Sequence, residues 1–328
     1  MKQHTRRQAL ARLGGTVAVA SLGLPALASE PFPNKRITLI VPYGAGSGTD
    51  IMTRLLVPAM EKDLGQTIVV ENRAGAGGTI GSVAVARAAP DGYTLAMGTI
   101  ASHSINEVMI KDVPYRVMRD FTPISQVAHF PSVLAANKSL PANNIAELVE
   151  LSKTKGPLSF ATGGVASSAQ MGGELLKWRT GMKLEHIPYK EAGQAISDCI
   201  AGHVPLIVYQ VPALLQHIQS GQLKALATLG AKRSAMLPNV PTPAEQGLKD
   251  FDATAWAGLF GPANMPPAAT QRLHRALQAA LADPGVRAEL ERRDFTPVGS
   301  EPAAFRKFVE ADLAKWADTV KATGAVAQ

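Results

Sequence analysis

Two glycine-rich loops are the segments best suited to act on a ligand through the backbone. Pro42-Tyr43-Gly44-Ala45-Gly46-Ser47-Gly48-Thr49-Asp50 follows an apolar run at 37–41, and Asn72-Arg73-Ala74-Gly75-Ala76-Gly77-Gly78 follows a second at 67–71. Each opens into a helical pattern, at 51–64 and 79–89. Loops of this composition let N–H groups converge on an anion, and a helix start adds the positive end of its dipole. The dipole contributes about 0.3–1 kcal/mol, and each charge-assisted hydrogen bond about 1.5–3 kcal/mol. A handful of such contacts holds a carboxylate without Arg or Lys. A third loop of small polar residues, 162–168, ends a later strand. Three such loops point to a ligand cleft, whereas any one alone could be a tight turn.

Nucleotide chemistry fits these loops poorly. Gly75-Ala76-Gly77-Gly78-Thr79-Ile80-Gly81 reads G-x-G-x-x-x-G, with Ile80 where the dinucleotide fingerprint needs a small residue, and no G-x-x-x-x-G-K-[ST] is present. Asp50 is either a helix N-cap or a ligand contact, and Asn72 either a turn residue or a ligand contact. Tyr43 and Tyr189 either pack on a ligand or fill core.

Catalytic and metal constellations are weak. The seven histidines form no H-x-x-x-H or H-x-H pair, and the chain has one cysteine, which argues against zinc; no cofactor and no metal are expected. Ser102 and His103 are adjacent, but G-x-S-x-G is absent and neighbouring positions rarely give nucleophile-to-base geometry. Cys199 falls among Ala195, Ile196 and Ile200 in a helical pattern and reads as a small buried hydrophobe. No enzyme activity is expected. The leading alternative to a binding protein is an exported nucleotide-dependent α/β enzyme.

The elements that must position these loops follow an alternating plan. Strand patterns at 37–41, 67–71 and 93–97 interleave with helical ones, which predicts βαβ units and parallel sheets, with a polar loop at 98–104. An extended segment at 121–136 carries Pro123 and Pro131, as a crossing between domains would. A second set of strands is expected at 158–161, 184–188, 204–209 and 223–228, and a return crossing at 254–260. Helices are expected at 169–180, 268–282, 286–293 and 303–323, the last with Ser300 as N-cap and Pro302 in its first turn.

Length and composition agree. With 328 residues, 46% hydrophobic and 18% charged, the chain is globular and long enough for about two domains. Its formal charge of +7 invites a search for a polyanion. Residues 1–28 account for most of it: Lys2, Arg6, Arg7 and Arg12 precede an acid-free stretch ending in Ala26-Leu27-Ala28, a secretory signal peptide. The adjacent arginines also fit a twin-arginine signal. Cleavage after Ala28 leaves 29 basic against 26 acidic residues, or +3. With aromatics at only 5%, nucleic-acid binding is disfavoured.

The ordered blocks Ile37 to Tyr43 with Gly46 to Asp50, Val70 to Gly78, Pro90-Asp91-Gly92-Tyr93-Thr94-Leu95, Phe121-Thr122-Pro123-Ile124, Ile187-Pro188-Tyr189-Lys190 and Val240 to Gly247 resemble the Bug receptors. These are the extracytoplasmic solute-binding proteins of tripartite tricarboxylate transporters. The resemblance implies a two-domain α/β fold of the periplasmic-binding-protein, or Venus flytrap, kind, type II-like, with the ligand cleft between domains: 29–126 with 257–328, and 127–256. It implies a periplasmic, monomeric receptor that delivers a small carboxylate to membrane transporter subunits, or, with the same fold, reports it to a sensor kinase.

Carried onto this chain, the implied ligand-binding residues are Tyr43, Gly46, Ser47, Gly48, Thr49 and Asp50 in the first loop and Ala76, Gly77, Gly78 and Thr79 in the second. Thr99 and Ser102 follow the third strand, and Thr162, Ser167, Ser168, Tyr189 and Tyr209 complete the cleft. One departure bears on the ligand. Where many relatives read G-x-V-D-x-x-F-D, this chain has Pro205 and Tyr209 in place of both acids, which argues against a ligand ammonium group.

Overall fold

The computed structural model describes residues 32–189 and 191–325. The signal peptide expected at 1–28 lies outside the described residues, as does Lys190. Among the described residues, eleven strands run in chain order as β1 (Ile37–Val41), β2 (Ile68–Asn72), β3 (Thr94–Thr99), β4 (Phe121–Phe130), β5 (Ser132–Asn137), β6 (Leu158–Thr162), β7 (Leu184–Pro188), β8 (Leu206–Gln210), β9 (Leu223–Thr228), β10 (Ala255–Pro262) and β11 (Thr296–Pro297). They form two sheets, ordered β11-β4-β10-β3-β1-β2 and β7-β6-β8-β5-β9.

The near-continuous apolar run of β1 suits a central strand covered on both faces, and four of its five residues are buried. It pairs in parallel with β2 and β3, so the loops after β1 and β2 leave the same sheet edge. The second sheet repeats this with β6 parallel to β7 and β8. Parallel pairing does not extend further. β10 is antiparallel to β3 and β4, and β5 is antiparallel to β8 and β9. These are the strands entered from the opposite sheet, so they traverse their sheets in the reverse sense.

The chain changes sheet at Pro131, between β4 and β5, and again between β9 and β10. The domain boundaries expected at 126/127 and 256/257 fall inside β4 and β10, both of which lie wholly in the first sheet. The described residues form one compact unit.

Several local expectations shift. The first helix is Gly48–Leu64, starting three residues early because Ser47 caps it, its Oγ accepting from the Asp50 N–H. The segment 98–104 is not an open loop: β3 continues through Thr99, and Ala101–Ile105 winds as a wide turn into the helix Asn106–Met109. Ser300 does not cap the C-terminal helix Pro302–Thr323, which starts from Glu301 without a side-chain cap. Its Oγ instead accepts from the Gln126 N–H at 3.0 Å, tying the helix start to β4.

The C-terminal helix is fastened to β10 by a buried carboxylate. Asp312 accepts from the indole N–H groups of Trp256 (2.9 Å) and Trp316 (3.1 Å) and pairs with Lys315 at 2.7 Å. Cys199 is fully buried, and burial pushes its thiol up to about 12, so it packs as a hydrophobe.

Candidate functional site

The first glycine loop is held from within. Asp50 is not the N-cap: in the first helical turn its carboxylate accepts from the Gly46 N–H (2.9 Å), from Arg54 Nε (3.0 Å) and from Asn72 Nδ2 (2.9 Å). Asn72 Nδ2 also donates to the Tyr43 carbonyl at 3.1 Å, so the end of β2 is bound to the loop after β1. Burial alone would raise the Asp50 carboxyl, but these donors outweigh it and hold it below the usual range.

The second loop is shaped by close approaches. Gly78 has φ 93°, and a Cβ there would come within 3.2 Å of Tyr43 Oη and 3.1 Å of Ser102 Cβ. The phenol of Tyr43 therefore rests on this loop, sharing a 2.6 Å hydrogen bond with Thr99 Oγ1. Asn106 Nδ2 donates to the Gly77 carbonyl at 2.8 Å. At Gly81 a Cβ would sit 2.8 Å from Pro42 Cα and 2.9 Å from the Arg73 carbonyl oxygen. The last glycine of the G-x-G-x-x-x-G run thus lets the helix approach the strand ends closely.

Ser102 and His103 do meet, contrary to expectation for sequence neighbours: Ser102 Oγ lies 3.0 Å from His103 Nδ1. Both side chains are fully buried, and Ser102 Oγ also accepts from the Thr99 N–H at 3.0 Å. The imidazole lies between Phe260 (centroids 4.2 Å apart) and Phe121 (4.5 Å), and burial pushes it down to about 3. Its Nε2 has no hydrogen-bond partner, so no acid orients it and no solvent reaches it. The pair is a packed structural contact.

In the second sheet, Ser167 caps the helix Ser168–Thr180: its Oγ accepts from the Gln170 N–H at 3.1 Å and donates to the Gly164 carbonyl at 2.7 Å. Thr162 Oγ1 is 2.6 Å from His186 Nε2, whose imidazole burial lowers to about 4. The Tyr209 ring covers Gly163, where a Cβ would meet its Oη at 2.8 Å. Tyr189 turns aside to donate to Asp198 Oδ2 at 2.8 Å.

These loops surround a cavity of about 480 Å³. Of the residues expected at a site, Tyr43, Ser47, Gly48, Thr49, Gly77 and Thr99 line it from the first sheet, and Ser167, Ser168 and Tyr209 from the second. Gly46, Asp50, Ala76, Gly78, Thr79, Ser102, Thr162 and Tyr189 are not part of the lining. Asp50, Ser102, Thr162 and Tyr189 are engaged in the hydrogen bonds above, and the loop residues among the rest form the backs of the turns. Ile100, Ala101, Phe130, Gly163, Val165, Ala166, Ala169, Gln210 and Phe295 line the cavity without having been singled out in the sequence. Gly163, Val165 and Ala166 lay within the loop recognised at 162–168, and Ile100 and Ala101 within that at 98–104. Phe295 had no local signal, since it reaches the site from the far C-terminal part of the chain.

The electrostatics come from the backbone. Helix starts at Gly48 and Ser168 face the cavity, and Gln210, which also lines it, immediately precedes the helix Val211–Gln219 without a side-chain cap. Such ends present N–H groups without intrahelical partners. Among the described residues no Lys, Arg, His, Asp or Glu lines the cavity, and no cluster of three His, Cys, Asp or Glu could hold a metal. Among them, too, no helix is long and apolar enough to cross a membrane.

Residues 52–325 match the family model described as tripartite tricarboxylate transporter family receptor. The chain is 36% identical to Protein BugT of Bordetella pertussis over 318 residues, 96% of this chain and 97% of BugT. Its structure superposes on that of the periplasmic binding protein BugD with a TM-score of 0.76 at 35% identity, covering 90% of this chain and all of BugD. MatC from Rhodopseudomonas palustris, solved with bound malate, gives a TM-score of 0.76 at 31% identity, covering 88% of this chain and all of MatC.

Proposed function

The chain belongs to the family of tripartite tricarboxylate transporter receptors, and from that premise we propose that its cavity captures a small organic carboxylate for delivery to the membrane subunits of such a transporter. The observation that carries this reading is a cavity bordered by helix starts from both sheets, with no charged side chain among its described lining residues. N–H groups at these starts suit a carboxylate, which two or three charge-assisted hydrogen bonds of about 1.5–3 kcal/mol each would hold. MatC, a family relative, binds malate in its solved structure, which supports the same ligand chemistry here.

The two sheets with their helices act as lobes that close on the ligand. Closure selects a state in which both sets of helix starts touch it, and the ligand shifts the equilibrium only by its greater affinity for that state. With Pro205 and Tyr209 where relatives carry acids, and no acid among the described lining residues, the ligand has no ammonium group. The signal peptide at 1–28 and the family together support a periplasmic location, and the receptor works as a monomer without cofactor.

A thermal-shift screen tests this. A carboxylate present at a hundredfold excess over Kd adds about 2.7 kcal/mol, a rise of a few degrees in Tm. A broad panel of carboxylates that leaves Tm unmoved, while nucleotides raise it, contradicts the reading.

A further inference from the structure

The cavity wall beside the first helix start is aromatic. Phe130 ends β4 and Phe295 precedes β11; their rings meet edge to face, with centroids 5.7 Å apart, and both line the cavity. Phe295 also flanks the N–H groups expected to hold the carboxylate. A Cβ placed on Gly48 would lie 3.7 Å from Phe295 Cζ and 3.8 Å from Gln210 Oε1, so ring and neutral amide both border that helix start. A ligand whose carboxylate is held at Gly48 and Thr49 therefore carries its next atoms past Phe295.

What lies there selects a body type. Once the Gly48 start is taken by the first carboxylate, a second one placed against Phe295 rather than at the Ser168 start would meet an aromatic ring and the neutral Gln210 amide, and would be desolvated without compensation there. A flat apolar ring at the same place finds edge-to-face and offset partners in Phe295 and Phe130. Resting on the reading of this cavity as a carboxylate site, we propose that the ligand is an arylcarboxylate, a single carboxylate on a flat apolar body, with Phe295 and Phe130 as the specificity-determining residues.

Titration calorimetry of the purified protein with benzoate, phenylacetate, succinate and malate tests this. Benzoate or phenylacetate binds at least tenfold more tightly than either dicarboxylate. Phe295→Ala weakens the arylcarboxylate at least tenfold while changing succinate and malate less than threefold, and Phe295→Leu, apolar but not flat, falls between. Gly48→Ala, whose methyl has room without a clash, weakens the arylcarboxylate too. Succinate or malate binding as tightly as the aromatic acids overturns the inference and leaves the carboxylate site standing, as does an equal loss for all four acids in Phe295→Ala. The wild-type ranking alone decides the matter if a variant does not fold. Absence of binding by all four overturns the carboxylate site along with it.

Discussion

Asn72 donates one amide nitrogen to Asp50 Oδ1 at 2.9 Å and to the Tyr43 carbonyl at 3.1 Å, so the end of one strand fixes the loop that follows its neighbour. The contact joins the two glycine loops on the first sheet into one surface. In the proposed carboxylate site, Asp50 and Asn72 therefore act as positioning residues, through the loop backbone that they hold.

Asn72→Ala should therefore cost stability and affinity together. Losing its bonds to a buried carboxylate costs about 1–3 kcal/mol, read as a fall in Tm of a few degrees, with weaker carboxylate binding. Asp50→Asn should do the same, and a double-mutant cycle should give a coupling of about 0.5–3 kcal/mol. Additive effects would show that the loops are held independently.

Packing gives a sharper prediction at two glycines. Gly81→Ala drives a methyl against the Pro42 and Arg73 backbone and should destabilise by about 1–3 kcal/mol or more. Gly193→Ala, in the helix Ala192–Ala201 with open space around it, should stabilise by about 0.5–1 kcal/mol. Chemical denaturation of the two variants measures both.

Asp294 should make stability fall as pH rises. Its carboxylate is buried and accepts from Ser234 Oγ at 2.8 and 3.0 Å, and burial raises its pKa from 3.8 to about 6. A raised folded-state pKa means that the folded protein holds the proton more tightly. The resulting stability is present below pH 3.8 and lost as pH climbs through about 6, a change of about 3 kcal/mol. Asp294→Asn should abolish this slope between pH 4 and 7 in a melting series, and a slope unchanged in the variant would assign it to another group. Asp50 acts oppositely: its support is present above pH 3.8 and is lost on acidification below that.

Ser102 should be chemically inert. Fully buried and hydrogen-bonded beside an imidazole held neutral, it should resist a fluorophosphonate probe at neutral pH. Stoichiometric labelling of Ser102, seen by mass spectrometry, would reveal an exposed nucleophile.

Much of the cavity lining was legible in the sequence because the elements that form it are local. A strand, a glycine loop and a helix start occupy one continuous segment, so Tyr43, Ser47 to Thr49, Gly77, Ser167 and Ser168 could be read directly. The helix Ile145–Lys155 was not among the expected elements, although Asn144 with Glu147 three residues on carries its start signal: the Asn144 side chain accepts from the Glu147 N–H. Other features depend on distant parts of the chain. The antiparallel sense of β10 follows from which sheet the chain has just left, and Phe295 enters the cavity through packing on Phe130, 165 positions away. The roles of Asp50 and Asn72 stayed open for the same reason: each is decided by the other, 22 residues apart.

The most direct test is a crystal structure of the protein with a bound carboxylate. The carboxylate should lie in the cavity between the two sheets, within about 3 Å of backbone N–H groups at Gly48 and Thr49 or bridged to them by one water, with no Lys or Arg side chain contacting it. A carboxylate bound elsewhere, or gripped in the cavity by a cationic side chain, would contradict recognition by helix starts.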